Sequence, residues 1–148
     1  MQKIAFLDRD GVINIDKKYI YKISDFEFID GIFEFCKFLR ENQYKIVIIT
    51  NQSGIARGYY TEKDYLVLTK WIKDKFNEKM IKIESIIHCP YHPRGIIKRY
   101  KRDSSLRKPK PGMIYLIERK INIDKEKSFI IGDKKRQQER SIFINYYS

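Results

Sequence analysis

Apolar positions along the chain follow two different periods, and the changes of period mark out its elements. Lys3 to Leu7 is a short apolar run that ends at an acidic loop, which predicts a buried strand whose C-terminal end carries Asp8. From Gly31 the spacing becomes helical: Ile32, Phe35, Cys36 and Leu39 form a single apolar face, and Asn42 is a plausible stop. Lys45 to Thr50 reads KIVIIT, rich enough in β-branched residues to predict a strand covered on both faces. Thr61 is an N-cap with Asp64 completing a capping-box variant, and Tyr65, Leu68, Ile72 and Phe76 line one side of the helix that follows. Ser85 to His88 predicts a short third strand. Cys89 to Gly112 holds all 4 prolines and a local excess of basic residues, and is read as loop. A helix over Met113 to Lys120 then leads to a fourth strand, Ser128 to Ile131, which stops at Gly132-Asp133-Lys134.

This βαβαβαβ order predicts an α/β fold with a central parallel sheet, helices on both faces and right-handed crossovers. In such sheets ligands bind beyond the carboxyl ends of the strands. The 148 residues suit a single domain over residues 1–148, and a chain of this size buries roughly two-thirds of its unfolded surface. Hydrophobic residues at 43% and charged residues at 34% are the balance of a soluble globular protein. No apolar run reaches the ~20 residues of a membrane span, and the first residues offer no secretory pattern, so a cytoplasmic protein without a membrane partner is expected. The formal net charge of +12 would draw the chain toward any polyanion. The basic residues are nevertheless spread along the chain, with one concentration from Arg94 to Lys110, and a general bias toward lysine, isoleucine and tyrosine accounts for them. Phosphorylated metabolites are therefore preferred over nucleic acid as partners. Cys36 and Cys89 fit a reducing compartment and no disulfide framework.

The candidate chemistry gathers at predicted strand ends. Asp8 and Asp10 follow the first strand in FLDRDGVIN, and alone they would read as a solvated acidic turn. Three further segments change that reading, because Thr50-Asn51-Gln52-Ser53-Gly54, Arg107-Lys108-Pro109 and Gly132-Asp133-Lys134 are also rich in groups that bind phosphate. A carboxylate is a competent nucleophile toward phosphorus, since its attack splits one hard hydrolysis into formation and breakdown of an acyl phosphate.

FLDRDGVIN, IVIITNQSGIARGYYTE, RKPKPGM and GDK resemble, in order and spacing, the motifs of the haloacid dehalogenase superfamily. FEFIDGI and HCPYHP look further like the heptose bisphosphate phosphatases, with histidinol-phosphate phosphatases as cousins, and the likeness covers about residues 4–134. It implies a Rossmann-like three-layer α/β/α fold without a large cap domain. It implies a magnesium-dependent monomeric phosphatase that removes the 7-phosphate of a heptose 1,7-bisphosphate for surface polysaccharide synthesis. Histidinol-phosphate hydrolysis, or a truncated, weakly active or inactive phosphate-binding relative, is the alternative. By the same resemblance Asp8 is the nucleophile and Asp10 the general acid and base, with Thr50 and Lys108 stabilising the phosphoryl group. Mg²⁺ is held by Asp8, the Asp10 carbonyl and Asp133. Asn51, Gln52, Ser53 and Lys134 line the substrate, Arg57 and Arg107 grip its second phosphate, and Asp16, Lys18 and Tyr19 belong to the loop that closes over the sugar.

Two departures from the family carry expectations. Relatives hold zinc with a Cys-x-His and a later Cys-x-Cys pair, but here those positions are Cys89, Tyr91, Ser104 and Leu106. His92 beside Tyr91 leaves too few ligands for the roughly four that a structural zinc site needs, so no zinc site is expected. Cys89 is then a small buried apolar residue and His92 an ordinary loop histidine. The second departure is the tail, residues 135–148, where Gln137 stands in place of an acidic residue and the family pattern is lost. That segment reads as a truncation.

Overall fold

The computed structural model describes residues 1–132. In chain order the strands and helices are β1 (Lys3–Leu7), α1 (Ile32–Glu41), β2 (Tyr44–Asn51), α2 (Glu62–Glu78), β3 (Ile83–Cys89), α3 (Gly112–Glu118) and β4 (Phe129–Ile131). The four strands form one sheet in the order β3-β2-β1-β4, and every neighbouring pair is parallel.

Strand pleating sorts the core into two layers. Ala5 and Leu7 of β1, with Ile46 and Ile48 of β2, face Cys36 and Leu39 of α1 and Leu68, Ile72 and Phe76 of α2. Ile4, Phe6, Val47 and Ile49 point the other way, onto Met113, Ile114 and Ile117 of α3. Both faces of β1 and β2 are therefore covered, which is why their sequences are continuously apolar. Burying each such side chain contributes roughly 1.5–3 kcal/mol, so the two layers rather than helix propensity hold the sandwich together. The predicted face of α2 is the buried one, and its capping box is complete: Asp64 N–H donates to Thr61 Oγ1 and Thr61 N–H to Asp64 Oδ2, each at 3.0 Å.

Element boundaries differ from the sequence reading where side chains or loops replace ladder bonds. β3 begins two residues earlier than the apolar pattern suggests, because the register slips between Ile46 and Val47 so that Ile83 and Ser85 are the consecutive partners. The intervening Glu84 instead ion-pairs with Lys45 and Lys82. β4 starts after Ser128, whose Oγ accepts the Ile4 N–H at 2.9 Å. The loop after β3 contains a short 3₁₀ turn at Lys98–Tyr100. It is tied down by Ile96 and Ile97, whose N–H groups both donate to the Ala56 carbonyl at 2.8 and 3.0 Å.

β1 lies between β2 and β4, with Leu7 in register with Ile48 on one side and Ile131 on the other. The chain runs from β1 outward to β3 and then returns to β1's opposite edge, so the crevice between β1 and β4 is the switch point of the sheet. Asp8 stands there, its N–H donating to the Ile131 carbonyl at 3.0 Å.

Candidate active site

Three segments distant in sequence converge at the carboxyl ends of β1 and β2. Asp8 leaves the end of β1, and its Oδ1 accepts the Arg9 N–H at 2.8 Å. Its Oδ2 lies 3.0 Å from Lys108 Nζ, in a pair that is nearly buried on the lysine side. Burial pushes the Asp8 carboxyl above its ordinary value, and the charge and hydrogen bond of Lys108 pull it back. Nearby Asp10 adds to the rise, while the Arg9 N–H opposes it.

Asp10 is held from both sides. Its Oδ1 accepts Arg9 Nε and Nη2 at 3.2 and 2.9 Å and Asn14 Nδ2 at 3.0 Å. Its Oδ2 accepts Gln52 Nε2 at 3.0 Å. Gln52 is buried and fully engaged, since Nε2 also reaches Thr50 Oγ1 at 2.9 Å and Oε1 accepts the Tyr60 hydroxyl. Gly54 makes that last bond sterically accessible, because a Cβ there would collide with the Tyr60 ring. Gln52, expected to face substrate, thus faces Asp10 instead.

Asn51 is also tied to the site's own residues. Its amide exchanges two hydrogen bonds with the backbone of Lys108, Nδ2 to the carbonyl at 3.1 Å and the Lys108 N–H to Oδ1 at 3.0 Å. Each end of the side chain makes one bond to the lysine backbone and keeps a further donor or lone pair. Thr50 and Lys108 are themselves buried, whereas Ser53 and Arg57 are half-exposed.

A sequence model of the family described as polynucleotide kinase 3 phosphatase matches residues 3–145. Relatives include a D-glycero-alpha-D-manno-heptose-1,7-bisphosphate 7-phosphatase of Photorhabdus laumondii, 48% identical over 132 residues, covering 89% of this chain and 72% of that protein. The enzyme of the same description from Campylobacter jejuni is 50% identical over 131 residues, covering 88% of this chain and 71% of its own length. This chain belongs to the haloacid dehalogenase-like phosphatases. Among solved structures, the D,D-heptose 1,7-bisphosphate phosphatase of B. bronchiseptica, complexed with magnesium and phosphate, superposes with a TM-score of 0.78 at 28% identity, over 92% of this chain and 73% of that one. A HAD-like phosphatase from Mesorhizobium loti gives a TM-score of 0.84 at 29% identity, over 92% of this chain; this chain spans 65% of its length.

For a phosphatase of this class the metal question turns on oxygen donors. The Asp8 carboxylate and the Asp10 backbone carbonyl lie at the end of β1, and oxygen-only ligation suits a hard cation such as Mg²⁺. Asp133 and Lys134, expected as ligand and substrate contact, fall outside the described residues, as does Gln137. Within the described residues, no cluster of three or more His, Cys, Asp and Glu side chains is arranged as a metal site.

The loop after β3 brings a second basic group to the phosphatase. His92 is buried rather than an ordinary loop histidine, since the loop folds back over Ala56. Its Nδ1 accepts the Arg94 N–H at 2.9 Å and its Nε2 lies 3.4 Å from Arg57 Nη2. Burial holds His92 below its ordinary pKa, and the charges of Arg107, Arg57 and Arg94 lower it further. The charges of three arginines thus all oppose protonation of this one imidazole. Cys89 is buried as expected, its thiol raised by burial and directed at the Tyr91 carbonyl, 3.8 Å away.

The loop that follows β1 is less engaged. Asp16 Oδ1 accepts the Lys18 N–H at 2.9 Å, and Lys18 and Tyr19 both adopt positive φ, 62° and 53°. Tyr19 is 44% exposed and meets the Tyr59 ring edge-on at 4.7 Å. Sequence reasoning passed over Arg9, Asn14 and Tyr60 altogether. Arg9 carried one signal: an arginine next to a carboxylate, immediately after a strand, has an opposite charge at hand to offset its burial, here that of Asp10.

Proposed function

We propose that this chain is a Mg²⁺-dependent phosphatase that removes the 7-phosphate of D-glycero-D-manno-heptose 1,7-bisphosphate through an aspartyl phosphate on Asp8. The observation that carries the reading is the buried Lys108–Asp8 pair beside a fully oriented Asp10, at the switch point of a parallel sheet. In the first step a carboxylate oxygen of Asp8 attacks phosphorus, the bond from phosphorus to the sugar oxygen breaks, and Asp10 gives its proton to that departing oxygen. In the second, Asp10 takes a proton from water, the water oxygen attacks phosphorus, and phosphate departs as the Asp8 carboxylate is restored. Lys108 and Thr50 supply positive charge and a donor to the phosphoryl oxygens, the contribution expected to dominate in phosphoryl transfer. Asp8, the Asp10 carbonyl and Asp133 would hold Mg²⁺, which would offset the repulsion between carboxylate and phosphate.

The Arg57, Arg94 and Arg107 charges around His92 favour a substrate with a second phosphate, because guanidinium presents paired donors to phosphate oxygens. Lys18 and Tyr19 belong to the loop over the sugar. The enzyme acts as a monomer in the cytoplasm; among the described residues no helix is long and apolar enough to cross a membrane.

Phosphate release from both anomers of heptose 1,7-bisphosphate and from histidinol phosphate, each with Mg²⁺, tests the reading. Turnover of a heptose bisphosphate should exceed that of histidinol phosphate by at least about 10²-fold in kcat/KM, the discrimination expected when donors placed for a second phosphate go unmet. Arg57→Ala should raise KM for the bisphosphate and leave histidinol phosphate unaffected. Equal turnover of both compounds would overturn the substrate assignment.

A further inference from the structure

The reaction above uses Asp8, Asp10, Thr50 and Lys108, and gives no role to Arg9, which lies between the two aspartates in sequence and whose guanidinium rests on Asp10. Arg9 is 2% exposed, which is rare for an arginine. Its Nη1 is buried without a hydrogen-bond partner among the described residues. Stability alone does not account for a donor left in that state, because a buried polar group without a partner loses its hydration and gains nothing in return.

What its other nitrogens do is specific. Nε and Nη2 both donate to Asp10 Oδ1. Nη2 donates also to the carbonyl of Ile20 at 2.9 Å, and Ile20 is a buried anchor of the loop that carries Asp16, Lys18 and Tyr19. Asn14 Nδ2 adds a further donor to the same Oδ1. A carboxylate oxygen offers about two lone-pair directions, so Oδ1 is saturated. Oδ2 receives Gln52 alone among the described side chains and retains a direction in which to carry a proton.

We propose that Arg9 is a positioning residue for proton transfer: it clamps Asp10 through Oδ1, so that Oδ2 faces the departing oxygen, and ties that carboxylate to the substrate loop through Ile20. The clamp rests on the role given to Asp10 above. In the step it serves, the proton on Oδ2 moves to the bridging oxygen as the bond from phosphorus to that oxygen breaks, and Arg9 exchanges no proton.

The choice of leaving group separates a clamp from a structural prop. A sugar alkoxide is too basic to depart without a proton, whereas p-nitrophenolate leaves unprotonated. Arg9→Met, Arg9→Lys and Asp10→Asn are compared in the full chain with Mg²⁺, using heptose 1,7-bisphosphate and p-nitrophenyl phosphate. Arg9→Met should lower kcat on the sugar phosphate by about 10²-fold, the cost of a misplaced catalytic group. Its kcat on the aryl phosphate should fall less than about 10-fold, with KM for both nearly unchanged, since only the acid's contribution is lost. Arg9→Lys, which keeps charge but not the fork, should fall between. In the Asp10→Asn background Arg9→Met should cost nothing further. Equal losses on both substrates, or losses that add to those of Asp10→Asn, would show a structural role and overturn the clamp. If Arg9→Met does not fold by circular dichroism, Asn14→Ala removes another donor from Oδ1 and must give the same substrate-dependent pattern. An Asp10→Asn variant that does not discriminate between the substrates overturns the role of Asp10 itself. One that discriminates while the Arg9 variants do not overturns the clamp alone.

Discussion

Asn51 and Lys108 exchange a reciprocal pair of hydrogen bonds, amide to backbone, across 57 residues of sequence. The pair joins the end of β2 to the loop before α3 and so decides where the Lys108 ammonium meets Asp8. Lys108→Met should lower kcat by about 10²–10³-fold, as expected when one donor to a developing charge is lost. Asn51→Ala should cost roughly 10–100-fold, through a displaced lysine rather than a lost contact. Because both act through one ammonium, the double variant should be little worse than Lys108→Met alone. Fully additive losses in steady-state kinetics would place Asn51 on the substrate instead.

Asp8→Asn should abolish turnover while leaving the fold intact, since an amide cannot form the acyl phosphate and is a poorer metal ligand. Asp10→Asn should be nearly as damaging on sugar phosphates. Trapping with acid during turnover should recover a phosphorylated wild-type chain and none from Asp8→Asn. Recovery of label from the Asp8 variant would move the nucleophile elsewhere.

Purified protein should contain well under one equivalent of zinc and keep its fold in chelator. Cys89 faces the Tyr91 carbonyl, His92 is held by Arg94 and Arg57, and Leu106 offers no ligand atom. The loop is closed instead by protein contacts: the Tyr100 hydroxyl donates to Glu62 Oε2 at 2.8 Å, and the Arg102 guanidinium lies 3.9 Å from the Tyr91 ring centre. Elemental analysis after dialysis checks this. Stoichiometric, dialysis-resistant zinc would mean that other groups have rebuilt the site.

His88 gives stability a dependence on acid. Its ring lies 4.1 Å from that of Tyr65, and burial lowers its pKa despite the opposing pull of Glu62, 3.2 Å away. With the folded value below an unfolded value of about 6.5, the unfolded chain binds the proton more readily. The contribution is therefore fully present above about pH 6.5 and is lost as pH falls through the lower folded value. Urea midpoints of wild type and His88→Gln at pH 7.5 and 5.5 isolate it: the wild type should lose more stability on acidification than the variant. A pH-independent difference between them would refute the assignment.

The Asp8, Thr50 and Lys108 motifs, the alternation of strands and helices, and the buried faces of α1 and α2 were all readable along the chain. Each depends on a local repeat or on a short string of residues. Thr61 and Asp64 were found for the same reason, because a capping box closes within one helical turn. What only tertiary structure decided is which groups those residues would meet. The slip at Glu84 lengthened β3 because its partner strand lies far away in sequence. Gln52 and Asn51 hold Asp10 and the Lys108 backbone because β1 and the loop before α3 stand beside the end of β2. Arg9 was passed over as a functional residue: the Ile20 carbonyl reaches its guanidinium, and Asn14 joins it on Asp10 Oδ1, only once the loop after β1 folds back. Composition and period are properties of neighbours in sequence. Hydrogen-bond partners of a buried side chain are properties of neighbours in space, and at this site the two sets scarcely overlap.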